Sequence, residues 1–182
     1  MTKKEMTEIF GLLLLAYPNA EAFKGGVKKL APTIELWCSC LPEVDFTIGQ
    51  QAAYHICREN KYPPTISEFR EMVERIENHM RSLIGAEWRI LVSNMDDLGM
   101  TPQEAVEACG SLLTILAVKR MGGPDKLVKD PNSKSRFPSL RYDYMGFEAA
   151  FRMVLTEGNG RAEITLMPLQ KAEGDKPNVR DL

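Results

Sequence analysis

The sequence predicts an all-α protein made of two small helical units. Three observations carry that expectation. Thr-x-x-Glu capping boxes begin at Thr2, Thr65 and Thr101. In each, the threonine hydroxyl accepts from the N3 amide while the glutamate reaches back to the cap amide. Apolar residues follow each box at helical rather than alternating spacing. Proline or glycine then ends the run, at Pro18 and at Gly122-Gly123.

Taken in order, the first helix opens at Thr2-Lys3-Lys4-Glu5 and presents Met6, Ile9, Phe10, Leu13 and Leu14 before Pro18. A second begins near Pro32, whose missing N–H is harmless in a first turn, and carries Ile34, Leu36, Trp37 and Leu41. A third follows Asp45 with Ile48, Ala52, Ala53 and Ile56. Thr65-Ile66-Ser67-Glu68, after Pro63-Pro64, opens a fourth with Ile66, Phe69, Met72, Val73, Ile76 and Met80 on one stripe. These four make a first bundle, residues 1–82. Gly85 is either a bend or a point where the helix runs on through Trp88, Leu91 and Val92.

The second unit spans residues 83–157. Thr101-Pro102-Gln103-Glu104 unites a cap, an N1 proline and an N3 partner. Val106, Cys109, Leu112, Leu113 and Leu116 then predict one helix up to Gly122-Gly123. Residues 124–138 hold three prolines and read as a loop. Ser139 caps a last long helix with Leu140, Tyr144, Phe147, Phe151 and Val154 inward. Residues 158–182 read as a tail, partly extended. Ile164-Thr165-Leu166 leaves room for a minor β segment near 161–167, which Asn159-Gly160 could turn into a hairpin with 151–157.

Composition narrows function by exclusion. Of 182 residues, 23 are Lys or Arg and 25 are Asp or Glu, for a formal charge of −2. That balance is too even for a protein coating DNA with its whole surface, and too even for an acidic DNA mimic. A nucleic-acid contact must therefore come from a local patch. The apolar run Leu12–Ala16 falls far short of the ~20 residues of a membrane span. Glu5 and Glu8 precede it and no small-residue cleavage site follows, so it is not read as a signal peptide. Cys38, Cys40, Cys57 and Cys109 are expected as reduced thiols, in the cytoplasm and away from membranes.

Catalytic patterns are missing from the sequence. Lys24-Gly25-Gly26 and Gly122-Gly123-Pro124 do not fit a phosphate-binding loop. Cys38-x-Cys40 and His55-x-Cys57 supply four soft ligands, but one-residue spacing on a helix sets side chains ~200° apart, which does not suit tetrahedral zinc. Neither histidine sits near a Ser or Cys nucleophile motif, and Asp96-Asp97 reads as a solvated turn or helix end. No metal, cofactor or catalytic residue is expected, and the chain is not expected to be an enzyme.

One stretch leans basic. From Lys119 to Arg152, eight cationic residues face four acidic ones, a local +4 on an otherwise acidic chain. Tyr142 and Tyr144 interleave with the charges, as suits base stacking or a protein interface. The expected partner- or nucleic-acid-binding residues are Lys119, Arg120, Lys134, Arg136, Arg141, Tyr142 and Tyr144.

The first unit resembles a known family. Thr2-Lys3-Lys4-Glu5, the helix ending Tyr17-Pro18-Asn19, the helix bearing Trp37 and Leu41, and Tyr62-Pro63-Pro64-Thr65-Ile66-Ser67-Glu68-Phe69 are similar to the N-terminal domain of phage replicative-helicase loader/inhibitor proteins. The resemblance implies a small helical protein that binds a hexameric replicative helicase and delivers it to an origin-binding initiator. The second unit resembles longer replisome-organiser relatives more loosely, through Val118–Gly123 and Arg141–Met145 with Phe147 and Phe151. Size and lack of catalytic motifs are also similar to type II anti-CRISPR proteins, which implies a CRISPR effector nuclease as the alternative partner. A DNA-binding replication regulator is a further alternative.

Overall fold

In a computed structural model, residues 1–25, 27–129, 132 and 135–157 are described. In chain order come α1 (Lys3–Ala16), α2 (Ala31–Cys40), α3 (Phe46–Glu59), α4 (Ile66–Asp96), α5 (Pro102–Cys109), α6 (Leu112–Met121), the single turn α7 (Pro138–Arg141) and α8 (Tyr144–Glu157). Short 3-10 turns fill Glu21–Phe23, Val27–Leu30 and Pro124–Leu127. The described residues hold no strand or sheet, only an isolated antiparallel bridge between Val128 and Tyr142. The chain is all-α.

All three capping boxes close as their sequence requires. The amides of Thr2, Thr65 and Thr101 donate to Glu5, Glu68 and Glu104 at 2.7, 2.7 and 2.8 Å. The return bonds, from each glutamate amide to the threonine hydroxyl, measure 3.3, 3.2 and 3.3 Å. The cap amide holds each of these carboxyls below its ordinary pKa. Asp45 caps α3 without a returning partner, its carboxylate accepting from the Thr47 amide at 2.8 Å.

α1 packs against α2 and α3, α3 packs against α4, and Trp37 of α2 meets Phe69 near the start of α4. An edge-to-face aromatic series runs through that core: Phe23 on Phe10, Phe10 on Trp37 at 5.0 Å, and Trp37 on Phe69 at 5.3 Å. Such geometry sets the positive edge of one ring against the negative face of the next. The Tyr17 hydroxyl donates to the carbonyls of Ile56 and Asn60, both at 3.1 Å, tying the end of α1 to the end of α3.

α4 links the two halves. Phe69, Met72, Val73, Ile76, Met80, Ile84, Trp88, Leu91, Val92 and Met95 are buried along one stripe of its 31 residues. Their spacing of three and four residues keeps the stripe continuous past residue 82 and through Gly85, so the helix runs on rather than bending there. Its second half packs against α5 and α8, and α6 packs closely along α8.

The structure departs from the sequence reading at three places. The helix expected from Thr101 to Gly122 is two. Gly110 takes a left-handed conformation (φ 64°) that ends α5, and Ser111 caps α6 by accepting from the Thr114 amide. Restarting the helix changes its phase, so Thr114, Ala117 and Val118 face inward while Leu112 (68% exposed) and Leu116 (40%) face solvent. The expected last long helix is also broken. α7 is one turn, Leu140 is exposed, and α8 begins at Tyr144 after Asp143, whose carboxylate accepts from the Gly146 amide at 3.1 Å. Finally, residues 151–157 are helical and cannot form one arm of a hairpin. The β segment expected near 161–167 lies outside the described residues.

Candidate partner-binding site

The basic stretch divides into groups with different environments. Lys119 and Arg120 occupy the last turn of α6, where cations complement the partial negative charge of the helix C-terminus. Both are exposed. Gly122 (φ 102°) and Gly123 (φ 111°) then turn the chain sharply, a conformation open to glycine and strained for other residues.

The segment expected as a loop is anchored at its start. Leu127 is fully buried, the Asp143 amide donates to the Leu127 carbonyl at 2.8 Å, and the Lys129 amide donates to the Arg141 carbonyl at 3.0 Å. Lys129 also approaches Asp143 at 3.9 Å. Arg136 and Phe137 are exposed beyond this anchor. Lys134 lies outside the described residues.

Arg141, Tyr142 and Tyr144 are engaged within the molecule. Asp96, the last residue of α4, accepts from the Arg141 guanidinium and from the Tyr142 hydroxyl, each at 2.6 Å. The guanidinium also lies 5.2 Å from the centre of the Tyr142 ring. Tyr142 is 2% exposed, and burial, then the Asp96 bond and charge, push its pKa up to about 12. Tyr144 is half-buried, with its ring centre 5.4 Å from that of Trp88 and its phenol pKa raised, mainly by burial. Tyr142 and Phe147 complete the aromatic group around Trp88, at 6.4 and 5.1 Å. These side chains are held against Asp96 and Trp88, whereas Lys119, Arg120 and Arg136 are exposed. Sequence inspection missed Asp96 as the anchor of Arg141 and Tyr142.

Other clusters are internally satisfied. Thr114, fully buried, donates to Glu87 at 2.7 Å, and the Asn94 amide donates to the Ala105 carbonyl at 3.3 Å. The four cysteines are free and half-buried, and burial raises the thiols of Cys57 and Cys109. A cleft of about 300 Å³ between α3 and α4 is lined by Glu59, Glu68 and Glu71 with Arg75. Glu59 already pairs with Arg75 at 2.8 Å, and Glu68 serves its cap. Among the described residues no group of three or more His, Cys, Asp or Glu could hold a metal ion. None of the described helices is long and apolar enough to cross a membrane.

Residues 1–70 match the family model for the N-terminal domain of a phage helicase loader/inhibitor. The matched stretch runs from the first capping box to the first turn of α4, and there the resemblance read from the sequence is upheld. That loader/inhibitor family is not one of enzymes. No curated protein and no solved structure matches the chain.

Proposed function

We propose that this protein acts without turnover, by binding a hexameric replicative helicase as a loader and inhibitor. The observation that carries the reading is the match of residues 1–70 to a helicase loader/inhibitor N-terminal domain. Residues 1–82 serve as the family-like bundle and residues 83–157 as a second unit, with α4 common to both. The second unit adds contacts through Lys119, Arg120 and Arg136. Arginine, with its fixed fork of donors, suits the acidic groups of a partner surface. The site of action is the cytoplasm, where the helicase works.

Titration of the full chain into two purified systems tests the proposal. Strand unwinding by the replicative helicase should fall and then level off near equimolar chain. Guided cleavage by a type II CRISPR effector should be unaffected. If cleavage falls and unwinding does not, the chain is a nuclease inhibitor and the helicase reading is wrong. Loss of neither activity, with direct retention of a DNA duplex, would identify a DNA-binding regulator instead.

A further inference from the structure

The break at Gly110 leaves α6 with an apolar face that the rest of the described protein covers only in part. Leu112, Ile115 and Leu116 are 68%, 39% and 40% exposed, and exposed Lys119 follows them. These four stand at i, i+3, i+4 and i+7, so they form one stripe along one side of the helix. The opposite side is the buried one, through Thr114, Ala117 and Val118. No acidic residue occurs anywhere in α6, whereas its last turn carries Lys119 and Arg120. At 1.5 Å per residue, Lys119 lies roughly 10 Å along the axis from Leu112. The stripe is thus apolar at one end and cationic at the other.

From this we propose that α6 is a docking face for an acidic amphipathic helix of a partner protein. The inference rests on the reading that the chain works by binding a protein, but not on that protein being a helicase. Side chains at i, i+3 and i+4 form ridges that fit the grooves of a second helix. A strand would bring a row of backbone donors and acceptors that three aliphatic side chains cannot satisfy. Charge complementarity sets the partner's composition. Its segment carries aliphatic residues at helical spacing and a carboxylate about two turns away, opposite Lys119. Contact of aliphatic anchors excludes water from the pair and strengthens it.

The test is a photo-crosslink in the full-length chain, expressed in its host. Leu116→p-benzoylphenylalanine places the reactive group on the stripe, and Leu112→p-benzoylphenylalanine is a second variant should the first fail to fold. The same residue at exposed Glu71 is the control. Adducts are digested and sequenced. The expected adduct is a segment of another protein with aliphatic residues at helical spacing and a nearby Asp or Glu. Adding Lys119→Glu should lower its yield about tenfold. An adduct with a second copy, with residues 158–182 of the same chain, with nucleic acid or with a segment lacking acidic residues would overturn the proposal. So would a yield no higher than at Glu71. An acidic helix from a protein other than a helicase would uphold the docking face and refute the helicase reading. A helicase that binds the chain without this adduct would do the reverse.

Discussion

Tyr142 shows how one side chain joins elements that sequence patterns treat separately. Its hydroxyl donates at 2.6 Å to Asp96, 46 residues earlier, and no local periodicity reports a contact of that separation. Asp96-Asp97 was legible as a helix-end pair, and Tyr142 as an aromatic beside basic residues, but their partnership was not. The phenol pKa of about 12 lies above the ordinary value of 10.0, because burial and the Asp96 carboxylate both oppose ionisation. The phenol therefore contributes stability that is complete below about pH 10 and is lost as pH rises through about 12. Urea midpoints measured stepwise across that window should fall for the wild type, with a Tyr142 share on the order of 2 kcal/mol. Tyr142→Phe should show a correspondingly flatter decline. At neutral pH that variant should lose about 1 kcal/mol, the net worth of one hydrogen bond. Equal alkaline slopes for the two proteins would remove Tyr142 from this role.

Helix starts were legible at the three capping boxes, whereas helix extents followed from the apolar period failed at Gly110 and after Arg141. Thr2, Thr65 and Thr101 each marked a start to the residue. Gly110-Ser111, by contrast, held a stop and a start signal inside a run of apolar residues that looked continuous. A left-handed glycine followed by a serine cap was the sign that could have revealed the break. The two glycines of this region make opposite predictions. Gly85 sits inside α4, and a Cβ added there would meet nothing within 4 Å, so Gly85→Ala should raise stability by about 0.5–1 kcal/mol. Gly110 has φ 64°, so Gly110→Ala should lower stability by about 1 kcal/mol. Thermal or urea unfolding reads both. Thr101→Ala should also cost about 1 kcal/mol by removing the cap of α5.

For the whole molecule, charge and fold limit function more firmly than any single residue does. The even balance of charge, with 23 basic and 25 acidic residues, leaves binding to local surfaces. The residues expected to form a binding patch sit in two different environments. Lys119, Arg120 and Arg136 stand at the surface, while Tyr142 is buried and Arg141 is held by Asp96. Side-chain type and local charge were readable, but burial depended on where α4, α7 and α8 meet. Reversal at Arg136 should therefore weaken partner binding with little change in unfolding temperature. Reversal at Arg141 should lower stability as well, because it sets a carboxylate beside Asp96.

Sedimentation of the full chain with the purified hexameric replicative helicase tests the central claim most directly. A stable complex should form with about one chain per helicase protomer, since identical protomers offer identical sites. Absence of any complex at micromolar concentrations of both proteins would contradict the claim.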